Sequence, residues 1–168
     1  FLHTKLDDRK HPIRVAFIGC GKFVSMFLSQ YSNLNKIKID SIVDLNIDQA
    51  KKNCLKSGVS EEEVSKINFT TSLDQIIDRN IEIFIEATGN PIVGTVHATK
   101  ILQEKKHLIL VNVEADITCG KYLSDLAKEN GVICSMAYGD QPSLILEQIE
   151  WARLNGFEVI CAGKGTKY

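Results

Sequence analysis

Gly19 and Gly21 flank Cys20 directly behind the apolar run Val15-Ala16-Phe17-Ile18, and Lys22-Phe23-Val24 follows at once. This spacing has a chemical meaning. The first glycine permits a tight strand-to-helix turn. The second lets the main chain approach a pyrophosphate. The helix that opens at Lys22 and Phe23 offers unpaired N–H groups and a positive dipole end to that anion. Gly-x-Gly alone is common, so its context gives it weight. A strand precedes it, a helix follows, and Asp44 closes the next strand 25 residues after Gly19. A carboxylate there accepts hydrogen bonds from the hydroxyls of an adenosine ribose. It also repels a 2′-phosphate and so favours NAD. Lys51 and Lys52 lie a turn or more beyond, and NADP stays open. The third small residue usual for such a turn is Val24 here, a departure expected to loosen the helix against the strand. Gly19, Cys20, Gly21, Lys22, Phe23 and Asp44 are therefore candidate cofactor-binding residues.

Three later segments place polar groups directly after apolar runs: Glu86-Ala87-Thr88-Gly89-Asn90-Pro91, Asn112-Val113-Glu114-Ala115-Asp116 and Tyr138-Gly139-Asp140-Gln141-Pro142. Ligands of open α/β sheets gather at the carboxyl ends of strands. Ala87, Thr88 and Gly89 are thus expected beside the nicotinamide, and Asn112 joins the cofactor set. Asp116 has a plain role available as a helix cap, whereas Glu114 has none. Asp140 either caps the following helix or meets a polar substrate. A developing alkoxide needs a cation or proton donor, and Lys164 and Lys167 in the glycine-rich end segment qualify by type. The candidate catalytic set is Lys164, Glu114 and Asp140, with Glu114 and Asp140 also able to orient substrate or take a divalent metal ion. His97, inside a helical stretch, and His107, just before a strand, read as structural or exposed. The five cysteines are odd in number and form no Cys-x-x-Cys pair, so free thiols are expected, with Cys134 and Cys161 as small apolar groups in strands.

The elements that must position these groups alternate along the whole chain. Strands are expected at Ile13–Ile18, Ile37–Val43, Ile67–Phe69, Ile81–Glu86, Leu108–Val113, Val132–Met136 and Glu158–Ala162. Helices are expected over 22–34, 47–57, 61–66, 73–78, 91–105, 118–130 and 142–155. Several strands are near-continuous Ile, Val and Leu, which requires cover on both faces. The pattern predicts an α/β doubly wound parallel sheet, a Rossmann NAD(P)-binding fold over residues 13–168 after a polar lead-in at 1–12.

The chain has 168 residues with a formal net charge of −1, which offers no basic surplus for nucleic acid or an anionic membrane. No apolar run approaches a bilayer-spanning length, and Phe1–His11 is too polar for a signal sequence. A cytoplasmic protein acting on a small molecule is expected. The chain opens on Phe1 rather than Met and stops just after its last predicted strand, so it reads as part of a longer enzyme, expected to be a homo-oligomer.

The Gly19-Cys20-Gly21 turn, Glu86-Ala87-Thr88-Gly89 and the apolar strand ending in Asn112 resemble the cofactor domain of homoserine dehydrogenases. Val111–Asp116, Met136–Pro142 and Ala162–Tyr168 resemble more closely the related DXR-like reductoisomerases, which act on 1-deoxy-D-xylulose 5-phosphate in isoprenoid biosynthesis. Homoserine dehydrogenases usually place a lysine soon after the strand-ending asparagine. Here Val113 and Glu114 follow Asn112, which favours the reductoisomerase-like group and, with it, NADPH. Asp44 favours NAD, so the cofactor expectation is NADP or NAD, together with a divalent metal ion. The other readings are homoserine dehydrogenase itself and a non-catalytic NAD(H)-sensing domain.

Overall fold

The computed structural model describes residues 9–137 and 141–163. The chain divides into two compact units, 1–135 and 136–168.

Six strands form one sheet: β1 (Ile13–Ile18), β2 (Ile37–Val43), β3 (Asn68–Thr70), β4 (Ile83–Glu86), β5 (His107–Leu110) and β6 (Cys134–Met136), in the order β3-β2-β1-β4-β5-β6. The pairings β1 with β2 and β4, β2 with β3, and β4 with β5 are all parallel. The sequence dictates this arrangement through burial. Val15 to Ile18 and Ile39 to Val43 are buried on both faces, which only a strand covered by helices on either side permits. Phe17 is fully buried and meets Phe27 edge-to-face at 5.1 Å. Removing such a ring from water contributes about 2–3 kcal/mol.

The crossovers run through α1 (Lys22–Leu28), α2 (Ile47–Lys56), α3 (Glu61–Lys66), α4 (Pro91–Gln103) and α5 (Val113–Asn130). Most are started by a side-chain cap. Asn46 accepts from the Gln49 N–H, Ser60 from Glu63, Asn90 from Ile92 and Val93, and Asn112 from Ala115. Gly131 ends α5 in the left-handed conformation at φ +68°. The chain reverses direction across the sheet between β1 and β4. The loops after those two strands therefore diverge and leave a crevice at their carboxyl ends. Val24, at the position of the third small residue, is wholly buried in the core.

Within β2, an interior strand, Asp40 is buried and receives Arg79, Arg14 and the Ser41 hydroxyl. Burial pushes its carboxyl up, but hydrogen bonds from Arg79, Ser41 and Arg14 outweigh that and hold it below the ordinary aspartate value. The group stays ionised and locks β2 to β1 and to the turn at Arg79.

Residues 136–168 contain α6 (Gln141–Leu154), followed by Gly156 at φ +82° and a stacked pair, Trp151 and Phe157, 6.5 Å apart. The expected strand at Glu158–Ala162 is absent: this segment is irregular, and Ile160 is 92% exposed. An apolar β-branched run needs a neighbouring ladder to become a strand, and here it has none. Cys161 is accordingly exposed rather than a core group. Other boundaries moved as well. The first helix is shorter than expected, with a separate 3-10 turn at Tyr31–Asn33, and the helix expected over 73–78 is a 3-10 turn at Leu73–Gln75. β4 and β6 start two residues later than expected, β5 ends at Leu110 rather than Val113, and α5 starts five residues earlier, at Val113 rather than Thr118.

Candidate functional site

The turn after β1 is built by contact as much as by conformation. Gly19 has φ +88°, and its N–H donates to the Val43 carbonyl at 2.7 Å. A Cβ at Gly19 would lie 2.8 Å from the Ala87 carbonyl oxygen and 3.1 Å from the Thr88 Cα, so the turn and the loop after β4 touch main chain to main chain. Gly21 is different. Its φ is −86°, and a Cβ there would meet nothing within 4 Å. Nothing among the described residues requires a glycine at this position. The empty space beside its backbone fits the approach of a ligand phosphate at the start of α1, which no side chain caps.

Cys20 welds this turn to β2 and α2. Its N–H donates to Asp44 Oδ2 at 2.8 Å, its carbonyl accepts from Asn53 Nδ2 at 2.8 Å, and its thiol points at the Ala50 carbonyl at 3.7 Å. Hydrogen bonding to the Cys54 thiol and burial push the Cys20 thiol upward, so it stays protonated and serves as a packing group. Asp44 is half-buried. Its other oxygen accepts the Asn46 N–H at 2.8 Å, and each oxygen keeps lone-pair capacity for a ribose hydroxyl. Lys51, one candidate partner for a 2′-phosphate, lies over the Phe69 ring at 5.5 Å. Lys22 is exposed, and Phe23 packs partly into the core under the turn.

The β4 end is tied down from within. Glu86 is fully buried, and its Oε1 accepts both the Thr88 N–H and the Thr88 hydroxyl. Its Oε2 is buried without a partner among the described residues. Gly89, at φ +69°, turns the chain into α4. Asn112, only 2% exposed, holds this loop from the next strand. Its amide donates to the Asn90 carbonyl at 2.8 Å while its oxygen caps α5. The structure therefore gives Asn112 a framework role one layer beneath the cleft. It is the cap that sequence alone assigned to Asp116.

Between these pieces lies an open cleft of about 420 Å³. Ile18 and Gly19 form its β1 wall, Val43, Asp44 and Leu45 its β2 wall, and Thr88 and Asn90 its β4 wall. Thr71, Val93 and His97 complete it. The structure thus brings Gly19, Asp44 and Thr88 to one site, with Cys20, Gly21, Ala87 and Gly89 in the same loops. Glu114 is exposed in the first turn of α5 and is not among the cleft walls. Asp140 and Lys164 lie outside the described residues. Among the described residues, no three His, Cys, Asp or Glu side chains gather in a way that would hold a metal ion. No helix among them is long and apolar enough to cross a membrane. Ile18, Val43, Leu45, Thr71, Asn90, Val93 and His97 are the cleft residues outside the candidate set from sequence. The four-residue spacing of Val93 and His97 behind Asn90-Pro91 was the available signal, since it puts both on one helix face at the β4 end.

Comparison with known proteins agrees with this geometry. Residues 13–138 match the profile of the GFO/IDH/MocA group, described as an oxidoreductase family with an NAD-binding Rossmann fold. Residues 139–168 match a second profile, described as the catalytic domain of oxidoreductase DRL. No curated protein gives a significant sequence match. Among solved structures, the WlbA dehydrogenase of Bordetella pertussis in complex with NADH and UDP-GlcNAcA is 19% identical with a TM-score of 0.64, covering 87% of this chain and 44% of its own. Biliverdin reductase of Synechocystis, in complex with biliverdin and NADP+, is 21% identical with a TM-score of 0.61, covering 86% and 42%. Homoserine dehydrogenase of S. aureus is 22% identical with a TM-score of 0.57, covering 76% and 32%. The likeness to these structures is one of fold, and the chain spans well under half the length of each. The chain belongs to the GFO/IDH/MocA oxidoreductase family, an NAD-binding Rossmann family whose profile its residues 13–138 match and whose parallel sheet β1 to β6 build.

Proposed function

We propose that this chain holds the dinucleotide for an NAD(P)-dependent oxidoreductase of the DXR-like reductoisomerase type, which reduces a carbonyl on a small polar substrate. The observation that carries the reading is the meeting of Gly19, Asp44 and Thr88 around one cleft at the switch point, with open space beside Gly21. The pyrophosphate would lie against Gly21 and the first N–H groups of α1, and the adenosine ribose would lie on Asp44. The loop at Ala87, Thr88 and Gly89 would flank the nicotinamide half. Bound nicotinamide supplies the hydride chemistry, and the protein contributes orientation and electrostatics.

Two features favour the reductoisomerase type over homoserine oxidation. Residues 139–168 resemble the DRL catalytic domain, and Val113 and Glu114, not a lysine, directly follow Asn112. In this reading Lys164 offers the cation for a developing alkoxide, with Glu114 and Asp140 orienting substrate or a divalent metal ion. A substrate domain beyond this chain would close the site, since the chain covers 32–44% of the three structures compared.

The test is turnover by the full-length protein with NADPH or NADH and a divalent metal. One arm supplies 1-deoxy-D-xylulose 5-phosphate and the other aspartate semialdehyde. The expected result is cofactor oxidation with the first substrate. A Lys164→Ala variant should then lose about 10²-fold or more in kcat with its dinucleotide affinity kept, the scale for losing a positioned proton donor. Turnover of aspartate semialdehyde alone would replace this reading with homoserine dehydrogenase.

A further inference from the structure

The phosphate turn and Asp44 leave one wall of the cleft unexplained. His97 lies on α4 four residues after Val93, and both face the cleft that Leu45 and Thr71 also line. Its Nδ1 is buried and finds no hydrogen-bond partner among the described residues. Burial holds the ring below the ordinary histidine pKa, against the pull of Glu86 on β4 and Asp74 in the 3-10 turn Leu73–Gln75, so the ring is neutral at pH 7. A neutral imidazole carries one proton. An N–H orphaned in the interior is costlier than an unused lone pair there, which places that proton on Nε2. His97 therefore offers the cleft an uncharged donor, on a wall otherwise made of Leu45, Val93 and the short polar side chain of Thr71.

We infer that His97 donates its Nε2–H to a ring nitrogen of the adenine of the bound dinucleotide and is the residue that recognises the base. The inference rests on the dinucleotide reading above. With the ribose on Asp44, the neighbouring space bounded by Leu45, Thr71, Val93 and His97 falls to the base. A purine fits its chemistry. The flat faces of the base suit Leu45 and Val93, and its edge presents acceptors to a donor. Leu45, at 93% exposed, lacks cover until such a face arrives. A neutral donor also suits an uncharged base better than a cation would.

The experiment titrates the intact protein with 5′-AMP and, separately, with nicotinamide mononucleotide. It follows the labelled His97 imidazole by NMR and compares His97→Leu and His97→Gln. AMP should move the Nε2 resonance. His97→Leu should weaken AMP by about three- to tenfold, the scale of one neutral hydrogen bond, and His97→Gln should recover most of that loss through its amide N–H. Affinity for nicotinamide mononucleotide should not change. If His97→Leu folds poorly, the imidazole shift in the unaltered protein decides the matter alone. An unmoved Nε2 resonance at AMP saturation overturns the inference while leaving the dinucleotide reading intact. Failure of the unaltered protein to bind NADH or NADPH overturns both.

Discussion

Gly21→Ala is expected to leave the protein's melting temperature unchanged and to weaken dinucleotide binding at least tenfold, whereas Gly19→Ala should damage both. The two glycines sit two residues apart and are constrained by different things. At Gly21 the backbone has φ −86° and a Cβ meets no protein atom within 4 Å, so alanine is free to adopt the conformation. The new methyl would stand where the phosphate must come. At Gly19 alanine must hold φ +88° and must push the Ala87 carbonyl back from 2.8 Å. Left-handed strain costs about 1–3 kcal/mol, and the displaced loop adds to it, so a total loss of about 2–4 kcal/mol is expected. Thermal melts and NADH titrations on both variants check the pair. A Gly21→Ala protein with full affinity would mean that no phosphate packs against that backbone.

Asp44→Ala is the second large effect, and it has two parts. Structurally it leaves the Cys20 and Asn46 N–H groups without their carboxylate, which should lower stability by about 1–3 kcal/mol. Functionally it removes a ribose acceptor and a negative charge. Affinity for NAD should fall by about ten- to a hundredfold, and the NADP-to-NAD preference should rise on the same scale. Asp44→Asn separates the parts, because it keeps a side-chain acceptor for the turn while discarding the charge. Its melting temperature should lie closer to the unaltered protein's, with the preference still shifted. An unchanged preference in both variants would mean that Asp44 does not reach the ribose.

These expectations were partly readable from sequence. The strands at Ile13–Ile18 and Ile37–Val43 and the helix at Glu61–Lys66 are where periodicity and β-branching place them, because each is set by burial or by a serine cap. The start of α5 was not readable. Val111 and Val113 prolong the apolar run of β5, and pattern alone cannot see that the Asn112 side chain turns back to cap Ala115 and so starts the helix between them. That misplacement hid the framework role of Asn112 and left Glu114 looking like a strand-end residue. His97 was read as structural or exposed for another reason. Its four-residue spacing from Val93 marks only a shared helix face, and the unpartnered nitrogen shows only in the packing. The tight turn at Gly19 was legible because its positive φ and its contact with the Ala87 main chain demand a glycine.

The account stands most directly on dinucleotide binding by the chain itself. Calorimetric titration of the folded protein with NADH and with NADPH is predicted to show one site for at least one of them. Gly21→Ala should weaken that binding with its fold intact. A folded, unaltered protein that binds neither dinucleotide at millimolar concentration would contradict the account.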